Sequence, residues 1–247
     1  MNKRRFLMIL VGLLLLIGCS NKGADSDYIG TSTFPLTTDS RWVYQRNYYK
    51  TPYHDSSLAD TESYSIIRHV IGPDTIIDGN QMIAVDDSIA RSDSVDQTPY
   101  TTRHLYCITE GKLKEYGQIT LFPWGEEVPV YYNPPYIQLD LPLITAKAWI
   151  GYQSVAGNAY SSVAGIEYID VGDISIKCDV VRTRVVDPYT GHEYFDSFWW
   201  YSNDGLVRNE FDYGVEVIRD ELGNPIDSVR SVEIMELLDM QIQRDGI

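Results

Sequence analysis

Ile174-Ser175-Ile176-Lys177-Cys178-Asp179-Val180 alternates apolar and polar side chains at nearly every step. A period of two places successive side chains on opposite faces of a strand. Downstream, Asp187-Pro188-Tyr189-Thr190-Gly191 supplies turn residues, and Glu193–Tyr201 pairs naturally back across them. Asn203-Asp204-Gly205 is the strongest turn signal in the chain and leads into Leu206–Tyr213. Gly223-Asn224-Pro225 closes another hairpin before Ser228–Leu237. Strands joined by short Gly, Asn, Asp and Pro turns predict an antiparallel sheet.

The same signals run upstream. Arg41–Lys50 is rich in Trp, Val and Tyr, and Tyr64–Ile71 alternates with an apparent change of phase between Ile66 and Ile67. Glu110-Gly111 reads as a hairpin junction before Lys112–Tyr116. The 19 Tyr and 5 Trp agree, because aromatics fit half-buried pleated surfaces. Val128–Leu143, broken by four prolines, reads as a long loop. Val232–Ile242 fits a strand through Val232, Ile234, Leu238, Met240 and Ile242, and a helix through Ile234, Leu237 and Leu238; the strand is favoured. The expected fold is mostly β with little helix: an antiparallel, strongly curved sheet or half-open barrel.

Two copies of one pattern divide it. Pro35-Leu36 is followed by Thr37 and, seven residues after the Pro, by Trp42; Pro142-Leu143 is followed by Thr145 and then Trp149. Pro suits the residue before a strand, and Trp its first large core anchor. The folded part, 34–247, is expected to be one domain of two similar halves, roughly 34–136 and 137–247.

The N-terminus carries a different message. Lys3-Arg4-Arg5 precedes an apolar run from Phe6 to Ile17, then Gly18-Cys19. A basic start, a short apolar stretch and a small residue at the cut make a secretory signal, and the run is too short to span a bilayer. Leu16-Ile17-Gly18-Cys19 resembles the lipobox of bacterial lipoproteins. The resemblance implies a signal peptide over 1–18, cleavage before Cys19 and lipidation of Cys19 by diacylglycerol and a further acyl chain such as palmitate. Residues 19–33 then read as a polar, lipidated tether. Ser20 is compatible with sorting to the outer membrane. The chain carries −15, and residues 1–18 hold three basic side chains and no acid, so the remainder stands at −18. That balance disfavours nucleic acid and anionic lipid surfaces as partners.

Chemical motifs are scarce. His192-Glu193 lacks the second His of a zinc motif, since Asp196 stands four residues after the first, and no metal site or cofactor is expected. Asp25–Gly30 departs from a calcium loop at its fifth and twelfth positions. Asp86-Asp87 and Asp93–Asp96 read as solvated loop faces, with calcium the alternative. No nucleophile elbow or phosphate loop is present, and a hydrolase acting through dispersed carboxylates has no positive support. Cys107 and Cys178 either form a disulfide in an oxidising compartment or serve as two small buried hydrophobes.

Phe198-Trp199-Trp200-Tyr201 is the densest aromatic run. On a strand, Phe198 and Trp200 share one face, and Trp199 and Tyr201 the other. Either both faces are covered, or one presents an aromatic platform for a sugar ring or an apolar ligand. Tyr131, Tyr132 and Tyr136 are a second candidate contact patch. Together with the Pro-Leu…Trp openings, Trp199–Val207 is similar to a group of envelope lipoproteins that are mostly β. These are similar in turn to the half-barrel lipoprotein carriers and receptors of the periplasm. The resemblance implies a non-enzymatic, membrane-anchored protein that binds an apolar ligand or an envelope protein on a curved sheet. The alternative is a surface glycan-binding module using exposed aromatics.

Overall fold

The computed structural model describes residues 33–53, 59–91, 100–154, 157–219 and 223–243. The signal peptide, Cys19, most of the tether, Asp25–Gly30, His54 and Asp93–Asp96 lie outside them. Among the described residues there are twelve strands and no helix. They are β1 (Arg41–Pro52), β2 (Asp60–Ile77), β3 (Asn80–Arg91), β4 (Tyr100–Thr109), β5 (Lys112–Leu121) and β6 (Glu127–Asp140). Then come β7 (Ala148–Ser154), β8 (Gly157–Val171), β9 (Ile174–Val186), β10 (Glu193–Ser202), β11 (Gly205–Arg219) and β12 (Pro225–Gln241).

All join one antiparallel sheet in the order β6-β5-β4-β3-β2-β1-β12-β11-β10-β9-β8-β7. Every junction pairs strands consecutive in sequence except β1 with β12, where Arg41 stands opposite Gln241. The sheet coils until its two edges, β6 and β7, come together, giving a barrel closed all round but for one unsealed seam. At the seam side chains replace the backbone ladder. The Trp149 indole donates to the Ile137 carbonyl at 3.2 Å, and the Tyr136 and Tyr152 rings meet edge-on at 5.7 Å. Gly151 is required here: a Cβ on it would sit 2.5 Å from the Tyr136 ring.

The segment expected to be a loop is β6. Its prolines, Pro129, Pro134 and Pro135, lack the N–H that an inner strand needs, but an edge strand has one side without a ladder. The ambiguous Val232–Ile242 is strand as far as Gln241. The change of phase at Ile66/Ile67 is not observed: β2 pairs in even register with β1 throughout Asp60–His69, and its irregularities begin at Val70/Gly72.

The repeated Pro-Leu…Trp pattern opens β1 and β7. Trp42 is 1% exposed and its indole donates to the Asp204 carbonyl at 2.8 Å; Tyr44 is fully buried and its hydroxyl donates to the Leu206 carbonyl at 3.0 Å. Burial of one such ring is worth about 4–6 kcal/mol gross, before conformational entropy is subtracted. Gly205, at φ +113°, completes the turn beneath Trp42, where a Cβ would lie 2.9 Å from the indole nitrogen. Phe34 and Leu36 pack onto the same core, with Phe34 edge-on to Tyr201 at 6.2 Å. The N-terminal segment thus plugs this end of the barrel. A second cluster, Met82, Leu105, Cys107 and Tyr116, lies on the opposite face of β3–β5.

Cys107 belongs to that second cluster and Cys178 to the main core, and both are free thiols. No bridge joins them, because they sit on β4 and β9, in separate packing units. Burial pushes the Cys178 thiol up to about 12, helped by Asp179 and Glu167.

Candidate functional site

The end of the barrel away from the plug is hollow. In β6 the register passes from Tyr131 opposite Gly117 to Tyr136 opposite Glu115, so Tyr132-Asn133-Pro134-Pro135 bulges out against the single Tyr116 of β5. A bulge re-aims side chains and interrupts pairing. Here it places Tyr131, Tyr132 and Tyr136 along a cavity of about 580 Å³. The facing wall is Trp199, Phe211, Tyr152 and Val185, from β10, β11, β7 and β9. The cavity therefore spans the seam from the inside, within the size range of small-ligand sites.

Four of the five aromatics singled out in the sequence line this one cavity, and Tyr201 lies at its floor beside Tyr136, Val181 and Trp199. Trp199 and Tyr201 stack at 6.3 Å, and Phe211 meets Trp199 edge-on at 5.1 Å. The pair faces inward and forms no outer platform. Phe198 and Trp200, on the opposite face, are covered: Arg182 lies over Phe198, Arg208 over Trp200, and the Trp200 indole donates to Glu167 at 2.8 Å.

Beneath the aromatics lies a polar chain that sequence reasoning missed. Arg68 of β2 makes a two-pronged pair with Asp87 of β3, at 2.8 and 2.6 Å. Asp87 faces His104 Nε2 at 3.5 Å, and His104 Nδ1 meets Glu115 at 2.7 Å. Glu115 also accepts from Gln118 at 3.0 Å and Gln138 at 3.1 Å, and these three residues reach the cavity. Asp87 is thus a buried ion-pair partner, and Asp86 is paired with Arg103 at 2.8 Å; neither is a solvated loop carboxylate.

Burial opposes charge on His104, but hydrogen bonds to Asp87 and Glu115 prevail and push it up to about 9. Burial likewise opposes charge on Asp87, yet Arg68 holds its carboxyl well below the usual range. Burial, with the nearby Glu115 charge, lifts Tyr132 to about 12 and raises Tyr136 further. His104 has a carboxylate at each ring nitrogen, at 2.7 and 3.5 Å, so neither nitrogen is left to activate a nucleophile.

Elsewhere the structure offers little chemistry. Among the described residues no cluster of His, Cys, Asp and Glu could hold a metal ion. His192 is an exposed turn residue beside Tyr194. A groove of about 940 Å³ at the plugged end is bounded by Thr33–Asp39, Pro73 and Asp204.

The sequence matches no family model and no curated protein. Among solved structures, it is similar to a Bacteroides fragilis protein described as exported, with a YmcC-like fold: identity 10%, TM-score 0.42, 85% of this chain and 99% of that one covered. It is also similar to a protein of Parabacteroides distasonis described as a lipoprotein, at 15% identity and TM-score 0.35, covering 86% and 99%. A LolA superfamily protein of Nitrosomonas europaea matches at 11% identity and TM-score 0.27, covering 87% and 90%. At such scores no property passes from those proteins to this one.

Proposed function

We propose that this chain is a non-enzymatic binding protein of the cell envelope that holds an amphiphilic ligand in the seam cavity. The observation that carries the reading is the cavity: about 580 Å³, walled by Trp199, Phe211 and tyrosines from β6 and β7, where the barrel lacks a ladder. Aromatic walls with a few fixed polar groups are the usual make-up of a small-molecule site. The lipobox supplies the location. Lipid on Cys19 anchors the chain, and Ser20 is compatible with sorting to the outer membrane. Two or more acyl chains give a lasting anchor, whereas one binds only marginally.

The neutral fluorophore N-phenyl-1-naphthylamine tests the site. Full chain in lipid nanodiscs should give saturable enhancement above empty nanodiscs, with one probe bound per chain. A linear, unsaturable signal counts against the cavity as a site. The anchor has its own test: Cys19→Ala should leave the membrane fraction after a salt wash, and retention there contradicts lipidation. A second reading, a glycan site, draws on the amides of Gln118, Asn133, Gln138 and Gln153 among the aromatics. Retarded migration in glycan affinity gels would favour it.

A further inference from the structure

Charge at the cavity is arranged in a way the aromatic walls do not explain. Among the described lining residues, Glu115 is the only side chain other than tyrosine that can ionise, and no Lys, Arg or His reaches the surface of the cavity. Two basic side chains behind Glu115 are already paired. His104 is 2.7 Å from Glu115, and Arg68 is bound through two nitrogens to Asp87. Of these four groups Glu115 alone lines the cavity, so the member that faces the ligand is an acid. An anionic head group entering here would lose its hydration and meet no counter-charge. A hydroxyl or amide head group would meet the amides of Gln118, Asn133, Gln138 and Gln153 and the hydroxyls of Ser154 and Ser197.

We propose that the cavity selects uncharged amphiphiles, those whose head carries hydroxyl or amide groups, and excludes anionic ones of equal chain length. This rests on the reading of the cavity as a binding site. It makes the chain a receptor for neutral glycolipid- or acylglycerol-like molecules rather than for free fatty acids or phosphate-headed lipids.

The test compares glycerol monododecanoate with dodecyl phosphate, each displacing N-phenyl-1-naphthylamine from full chain in nanodiscs. The neutral ester should displace the fluorophore at a concentration at least tenfold lower. Equal or stronger displacement by the phosphate overturns the charge rule and leaves the binding site standing. Absence of saturable fluorophore binding overturns the site itself, so the two failures are distinguishable. Gln153→Lys supplies the converse. Gln153 is an exposed residue of the cavity rim, so the barrel should tolerate the change. The variant should bind dodecyl phosphate at least tenfold more tightly than the parent chain. No gain for the phosphate would also overturn the charge rule.

Discussion

Arg68→Ala is expected to be among the most damaging single changes inside the barrel. Arg68 and Asp87 are 15% and 10% exposed in their side chains and share two hydrogen bonds of 2.8 and 2.6 Å. Truncation removes both bonds and the cation over the Tyr44 ring, and leaves Asp87 with only the longer 3.5 Å contact to His104. Breaking a buried pair from one side costs about 3–5 kcal/mol, because the orphaned charge stays buried. For a chain of this size each kcal/mol lowers Tm by about 2–4 °C, so the expected fall is about 6–20 °C. The wild-type Asp87 carboxyl is depressed, so its contribution is full above the unfolded value near 3.9 and is lost as pH falls through the folded one. Arg68→Ala should therefore also move acid unfolding to higher pH. Urea unfolding followed by tryptophan fluorescence at pH 7 gives the loss directly. The companion Arg68→Met/Asp87→Leu removes both charges and should recover more than half of it, since apolar residues of similar volume replace buried pairs well. A loss below about 1 kcal/mol, or a double variant no better than the single, would refute the reasoning.

Other outcomes follow from the same network and from the seam. The His104 value is raised to about 9, so its stabilisation is complete below about pH 6.5 and disappears as pH rises through 9. At 1.36 kcal/mol per unit the change is about 3 kcal/mol, and His104→Gln should flatten the slope; an unchanged slope would show that other groups cause it. Gly151→Leu drives a side chain into the Tyr136 ring and should lower stability by about 1–3 kcal/mol as overpacking does, with loss of fluorophore binding. An unaltered melting curve would mean the seam is looser than its contacts indicate. Trp199→Ala should weaken N-phenyl-1-naphthylamine binding at least tenfold in a titration of the folded variant, whereas equal affinity would remove Trp199 from the contact set.

The parts of the fold legible in the sequence were those written in local chemistry. Alternation around Cys178, the turn at Asn203-Asp204-Gly205 and the aromatic density of β10 each point to antiparallel strands. β6 was not legible because proline tolerance depends on being at an edge, and only the strand order shows that. Arg68 disguised β2: an arginine at an inward position breaks the apolar series Tyr64, Ile66, Val70 and imitates a shift of phase. Its partner Asp87 reads as half of an acidic surface pair for the same reason. Buried ion pairs between strands leave no spacing in the chain, so His104 and Glu115 were invisible as a couple. The cavity aromatics were found as types, but the meeting of Trp199 with the tyrosines of β6 depends on closure across the seam.

The pairing of Arg41 with Gln241 has a kinetic meaning. Each of the other ladders joins neighbours in sequence and can zip from its own hairpin, whereas this one must wait for a loop of 200 residues to close. A chain delivered from its N-terminus first therefore holds β1 with one bare edge until the final strand emerges. Over that interval the row of unpaired amides from Trp42 to Tyr49 is a template for any other extended chain. Arg41, Arg46 and Lys50 along it are the charges that discourage such mispairing, and β12 is the element whose truncation would leave that edge permanently open.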